Sequence, residues 1–467
     1  MQIVPYNTQA YDLLHNGAIC FSEIHQNGIR VDSKHLKSEY KRLKKEVKKL
    51  SGKIETFAEA KLWKGKYKDN FSLNSDDQLS DILFNELQYE SKKFTDSGNP
   101  SVDKEALKAL KSSFTDYLLR YRFYFKLQNT YIKGLIEETC NGFIHPFINL
   151  HTARTFRSSA NSPNVQNMPT RDPEAGEIIR KAFIPREGMM LMGADYGGVE
   201  VKAAALYHRD PTMLHYLRNL ESSDMHSDFA CLLFMLSDLD TNNKGENLLR
   251  KATKNSFTFP QFYGDYYKNN ALAIWEWLNF SGDRIKKTEG PEIRNGITIG
   301  EHLINKGIKT FDQYVNHVKK IEHNMWNKRF PVYARWKEQH YKSYLKKGYV
   351  TILSGFVCQG SMKKNDVINY PIQGLAFHCL LWSCIRIHKL LKKYKMKTKL
   401  IFQVHDELVA DVHPKEEKTY SELLKQVMIE DLKRHWKFID IPLEIEAKRS
   451  AVDGNWFEME KAFTYIN

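Results

Sequence analysis

The chain has 467 residues, 42% hydrophobic and 12% aromatic, enough to fill two or three domains or subdomains. Seventy Lys and Arg against 56 Asp and Glu give a formal charge of +14, which favours a polyanionic partner. No apolar run approaches the roughly 18 residues of a membrane span, the start lacks a signal-peptide pattern, and the six cysteines show no C-x-x-C spacing. These features argue against membrane and secreted classes and point to reduced core thiols in a cytoplasmic protein.

Residues 1 to about 30 read as a short, weakly amphipathic helix ending at a turn from Gly28 to Asp32. A long helix follows, with Asp32 or Ser33 as cap and Leu36, Tyr40, Leu43, Val47 and Leu50 spaced four and three apart. Its other face carries Lys37, Lys41, Arg42, Lys44, Lys45, Lys48 and Lys49, which reads as a solvated face or as a helix lying along a phosphate backbone. Residues 71–79 look like a loop and cap, 91–101 like a polar connector, and 104–131 like resumed helix with Arg120, Arg122 and Lys126.

From 144 to 169 the residues turn small, polar and basic, including Arg157, Gln166 and Asn167, a composition suited to sugar-phosphate and minor-groove contacts. Residues 189–200 then read as an apolar strand that delivers Asp195, followed by Gly197-Gly198, which permits a sharp turn. Residues 199–364 are largely helical in pattern. Arg250 and Lys254, four apart, put two cations on one helix face, a clamp for a triphosphate. Phe259 and Tyr263 repeat the spacing as a stacking wall. An apolar helix over 376–392 feeds a hairpin at 401–411, whose polar centre is His405-Asp406-Glu407. Two strands that each end in an aspartate can hold two divalent ions about 4 Å apart, the arrangement of in-line phosphoryl displacement.

In this order the motifs resemble the polymerase portion of the family A DNA polymerases, the bacterial DNA polymerase I type in a bacteriophage-like version. Asp195-Tyr-Gly-Gly-Val-Glu200 is similar to motif A (D-Y-S-Q-I-E), 250–264 to motif B (R-x3-K, then F-x3-Y-G), and 403–409 to motif C. Residues 71–79, 163–169 and 369–374 are similar to the thumb sequence, to P-N-L-Q-N-I-P and to N-x-P-I-Q-G. The resemblance implies an α+β right-hand fold with an antiparallel-sheet palm, a helical thumb and helical fingers. Its divisions fall at 1–32 (a segment packing on the palm), 33–140 (thumb), 141–198 (palm), 199–365 (fingers) and 366–467 (palm).

Position by position, the resemblance implies that Asp195 and Asp406, with the Tyr196 carbonyl, hold two Mg²⁺ ions, Mn²⁺ being a substitute. Lys254, Arg250 and His226 would take the triphosphate, with Lys254 also a proton donor to the leaving group. Glu200 would exclude a 2′-hydroxyl and Tyr263 would stack at the template position. Arg157, Gln166, Asn167, Gln373 and His405 would touch primer and template near the terminus. Lys126, Asn74 and Ser75 would contact the backbone. The implied partners are primer-template DNA and dNTPs, with a separate exonuclease or processivity protein as a further candidate, in the cytoplasm of a host cell if the gene is a phage's.

Four departures stand out. Motif B has one extra residue, so Phe257 or Phe259 faces the sugar, and Phe259 keeps the spacing to Tyr263. Pro260 replaces glycine and should loosen the helix at Thr258 to Phe259. Gly197-Gly198 replaces Ser-Gln and removes side-chain contacts. The 265–310 segment is longer than its counterpart. Too few residues precede the match for a 3′→5′ exonuclease domain, so proofreading is not expected of the chain as given. The rival readings are a single-subunit RNA polymerase or reverse transcriptase, a two-metal nuclease, and a silent DNA-binding protein. Glu200 argues against the first, Arg250, Lys254 and His226 are left unexplained by the second, and the intact aspartates argue against the third.

Overall fold

The computed structural model describes residues 2–91, 94–95, 98–169, 172–219, 223–294, 296–404 and 406–467. His405 lies outside the described residues. Asn7 accepts the Ala10 amide at 2.9 Å and starts α1 (Thr8–Asn27). The helix is twenty residues long, not short, because Ala10, Leu13, Gly17, Cys20, Phe21 and Ile24 give it one continuous buried stripe. Asp32 accepts the Lys34 and His35 amides, both at 2.9 Å, and opens α2 (Ser33–Ile54), which buries Leu36, Leu43, Leu50 and Ile54. That face packs on α3 (Ser113–Lys126). Arg122 of α3 reaches back to the 71–79 loop, donating to the Leu73 carbonyl at 2.9 Å and to Asp76 at 2.6 Å.

The apolar core of this helical arm does not end at residue 140. It continues through Ile144, Phe183, Leu191, Phe402 and Trp456 beneath one face of a five-stranded sheet. The sheet holds β1 (Met190–Tyr196), β2 (Lys399–Val404), β3 (Glu407–Val412), β4 (Glu444–Arg449) and β5 (Glu460–Ile466) in the antiparallel order β5-β4-β1-β3-β2. Residue alternation on β1 sends Met190, Met192, Ala194 and Tyr196 into a second core, while Leu191 enters the first. The central strand is thus covered on both sides, which is why it reads as an unbroken apolar run.

The second core is helical, built on α4 (Val199–His208), α5 (Met225–Phe234), α6 (Lys244–Thr253), α7 (Phe259–Tyr263), α8 (Tyr267–Trp277) and α9 (Pro331–Lys347). Residues Lys254–Thr258 between α6 and α7 form a π turn, so the helix loosens one turn ahead of Pro260 rather than at Thr258 to Phe259 alone. An antiparallel hairpin, Tyr349–Ile352 with Phe356–Gln359, interrupts a stretch expected to be helical, turning at Gly355 with φ 89°. The long 265–310 segment docks on α6 through Arg294, which holds Glu246 and Asp238, each at 2.8 Å.

α10 (Lys364–Lys393) starts twelve residues before the expected 376 and runs through Pro371 and the boundary placed at 365. Pro371 cannot donate to the Val367 carbonyl four residues back, and the helix runs on through that gap with Val367, Ile368, Ile372 and Leu375 on either side of it buried. Four of the six thiols are buried as expected, but Cys140 is exposed and Cys231 half-buried. Among the described residues no helix is long and apolar enough to cross a membrane.

Candidate active site

Asp195 is the next-to-last residue of β1, and Asp406 stands in the turn between β2 and β3. Glu407, the first residue of β3, pairs directly with Asp195, so both side chains rise from one face of the sheet, with Asp406 one step beyond. On that face Gly193 leaves a hollow that Glu407 fills: a Cβ there would lie 2.0 Å from Glu407 Oε1. The Asp195 carboxyl is pushed up to about 7 by burial and by the charges of Asp406 and Glu407, with Lys448 pulling the other way. Burial likewise raises Glu407, opposed by Arg180 and Lys448.

These are hard oxygen donors whose mutual repulsion a divalent cation would relieve, so the donor set fits Mg²⁺ or Mn²⁺. No cluster of three or more His, Cys, Asp or Glu side chains is placed to hold a metal among the described residues. Two carboxylates and the backbone of Tyr196 are what the chain offers. Tyr196 itself is anchored away from the site, its hydroxyl donating to the Met428 carbonyl at 2.6 Å. Gly198, with φ 60°, turns the chain into α4 and sets Glu200 in that helix's first turn. The Cβ hollow of Gly197 is not empty space: the Glu444 carboxylate would lie 2.8 Å from a Cβ there, and Glu444 in turn faces buried Lys202 at 3.8 Å.

Glu200 is ion-paired with Arg157 and lines a small cavity of about 20 Å³ with Phe259, Tyr263, Tyr333 and Asn369. Phe257 instead is fully buried against Phe229, with ring centroids 5.4 Å apart. Phe259 is therefore the motif B phenylalanine open to the site. Lys254 Nζ sits 5.4 Å from the Phe259 ring and His226 5.5 Å from it. Arg250 is ion-paired with Asp224, the residue that also caps α5 by accepting the His226 amide at 3.0 Å. Burial pushes the His226 imidazole down to about 4, so it is neutral at physiological pH. In the sequence Asp224 reads only as part of the Asp224-Met-His226 element, with no role of its own, although an aspartate at a helix start is a cap signal.

The expected primer and template residues divide. Asn167, Lys126 and Asn74 are exposed and Gln373 is half-buried on α10. Ser75 caps a short helix by accepting the Gln78 amide at 3.3 Å. Gln166 is a correction: it is 9% exposed, and its amide nitrogen donates to Ser158 Oγ at 2.8 Å and Gln403 Oε1 at 2.9 Å. That amide is occupied inside the protein and braces the loop against β2, whereas Asn167 is exposed and Arg157, partly exposed, is held by Glu200.

A sequence model of DNA polymerase family A matches residues 33–272 and 305–458; the unmatched 273–304 lies within the elongated segment noted above. The DNA polymerase I of Caldicellulosiruptor bescii is 28% identical over 400 residues, covering 83% of this chain and 41% of that protein. That of Bacillus subtilis is 27% identical over 456 residues, covering 94% of this chain and 45% of that protein. The chain thus spans less than half the length of these curated relatives. Among solved structures, the POL domain of Pol1 from M. smegmatis, in complex with DNA primer-template and dNTP, is similar with a TM-score of 0.71 at 23% identity, covering 95% of this chain and 70% of that one. That likeness is one of fold.

Proposed function

The chain belongs to DNA polymerase family A, and from that membership we propose that it performs template-directed DNA synthesis, adding dNMP units to a primer 3′ end with release of pyrophosphate. The observation that carries the proposal is the pairing of Asp195 with Glu407 across antiparallel strands, which brings Asp406 in the adjoining turn to the same end of the sheet, with Glu200 lining one cavity with Phe259 and Tyr263. Asp195, Asp406 and the Tyr196 carbonyl would hold divalent cations, whose chemistry would be to lower the pKa of the primer 3′-hydroxyl and to offset the charge of the leaving pyrophosphate.

The chain's own groups account for the rest. Arg250 and Lys254 bind the triphosphate, and Lys254 Nζ carries a proton for the departing pyrophosphate. Neutral His226 orients a phosphate oxygen as a hydrogen-bond donor. Arg250 is held by Asp224 in the free protein, so nucleotide binding exchanges one anion for another at the same guanidinium. Glu200 narrows the space beside the sugar, and a 2′-hydroxyl is refused by exclusion. Arg157, which Glu200 holds, Asn167 and Gln373 meet the primer-template.

The test is extension of a 5′-labelled primer-template with Mg²⁺ and dNTPs, rNTPs or no nucleotide, beside Asp406→Ala. Templated growth with dNTPs alone, abolished in Asp406→Ala, is the expected result. Shortening of the primer without nucleotides, removed by the same substitution, would make the hairpin a nuclease site.

A further inference from the structure

A groove of about 590 Å³ runs along the seam between α2 and α3, away from Asp195 and Asp406. One wall is the α2 stripe Tyr40, Lys44, Val47, Lys48 and Ser51, with Glu55, ion-paired with Lys64, just past its end; the other is Tyr121, Phe125 and Gln128, on α3 and the π turn that continues it. Both stripes step by three and four, so each is one helix face. The Tyr121 and Phe125 rings stack with centroids 5.7 Å apart.

Two features bear on what this groove takes. Gln128 is 6% exposed and lines the groove, so the little of it that is open to solvent faces the groove, where a polar amide can meet a ligand or water. The second feature is charge. α2 carries nine Lys and Arg against two Glu, and among the described residues only Arg42 of these is ion-paired, to Glu39. A cationic helix with its lysines unmatched by the protein is complementary to a polyanion.

We infer that this groove is a track for a single-stranded nucleic-acid segment, its phosphates on Lys44 and Lys48, a base against Tyr40 and Phe125, and a base or sugar edge on the Gln128 amide. A duplex does not fit the same features. Helices packed side by side lie about 8–10 Å apart, and rings recessed in such a seam are reached only by bases that have left the stack. Aromatic stacking with backbone cations is the means by which unpaired strands are held without sequence preference. The track does not depend on the catalytic reading, since none of its residues belongs to the catalytic set.

The experiment occupies the polymerase cleft first, with an unlabelled dideoxy-terminated primer-template and the next dNTP, and then titrates fluorescein-labelled oligo-dT by anisotropy. Lys44→Glu/Lys48→Glu should weaken oligo-dT at least about tenfold, Tyr40→Ala about fivefold or more, and both should retain primer extension within about twofold. Lys44 and Lys48 are exposed, so the double variant keeps its fold, which a melting curve verifies. Unchanged oligo-dT binding in the double variant overturns the inference. So does an equal loss for a blunt duplex of the same length, which would make the face a duplex-backbone contact.

Discussion

Gly193→Ala probes the hollow on which the catalytic face depends. A methyl group at Gly193 would lie 2.0 Å from Glu407 Oε1, 3.0 Å from its Cδ and 3.3 Å from Met459 Cε, against an ordinary contact of about 3.5 Å. The carboxylate must therefore shift by about 1.5 Å. It is not free to do so cheaply. Arg180 and Lys448 both favour its anionic form, and Arg180 is fixed by stacking 4.3 Å over the Trp456 ring and donating to the Trp456 carbonyl at 3.3 Å. Overpacking a filled site costs about 1–3 kcal/mol, and parting Glu407 from its cations adds to it, so the loss should reach about 2–4 kcal/mol by denaturant titration. Because Asp195 lies two residues along the same face, kcat should fall more than KM for dNTP rises. The decisive comparison repeats the substitution in Glu407→Ala, where the cost of the methyl group should shrink below about 1 kcal/mol. If Gly193→Ala is as costly there as in the parent, the hollow is not what makes glycine necessary.

Asp195 predicts a pH dependence. Its carboxyl titrates near 7 in the fold against 3.8 unfolded, so between these values the folded protein binds the extra proton and stability falls as pH rises. Asp195 is crowded by protein on one side yet more than a third of its surface remains exposed, so its share is discounted to about 1–2 kcal/mol. Asp195→Asn should flatten the metal-free melting profile between about pH 4 and 7, and Mg²⁺ at pH 8 should stabilise the parent more than the variant; parallel profiles would refute the electrostatic account. Glu200→Ala should raise incorporation of rNTP relative to dNTP by about 10- to 200-fold in single-nucleotide kcat/KM, and an unchanged ratio would remove Glu200 from the gate. Asp224→Asn keeps the helix cap but gives up the charge that holds Arg250, so KM for dNTP should fall by up to about fivefold with kcat little changed; a rise would show that the pair orients Arg250 for the triphosphate.

What was legible in the chain was local. Asp195 stands near the end of its strand after five apolar or small residues, and Asp32 caps α2 as its position before the periodic leucines requires. What was not legible depended on partners far along the chain. Gln166 reads as a polar loop residue, yet its fate is decided by Gln403, 237 positions away. Pro371 reads as a helix stop, and α10 passes through it with Val367, Ile368, Ile372 and Leu375 buried on either side. Lys448 and Arg180, which set the charge of the catalytic face, carry no motif at all. Glycines were the reverse case: Gly193 looked like a plain strand residue, and its reason is the Glu407 side chain lying across it.

The two ends of β3 show why the face is left negative. Asp411 pairs with Leu191 and so stands on the same face as Glu407 and Asp195. It is fully buried, and the fold answers it with Arg186, in direct ion pair. Burial still holds the Asp411 carboxyl up to about 6, so even a dedicated guanidinium only partly offsets the cost of a carboxylate here. Asp195, four residues along from that pairing, receives no ion pair among the described residues; Lys448 acts on it only from a distance and is itself 3.4 Å from Glu446. The sheet thus supplies a direct counter-charge at Asp411 and none at Asp195, where crowding with Asp406 and Glu407 is relieved by protonation and would be relieved by a cation from solution. An Arg or Lys introduced beside Asp195 should therefore stabilise the metal-free protein and abolish synthesis together, whereas removing Arg186 should destabilise the fold without changing the Mg²⁺ dependence of whatever activity remains.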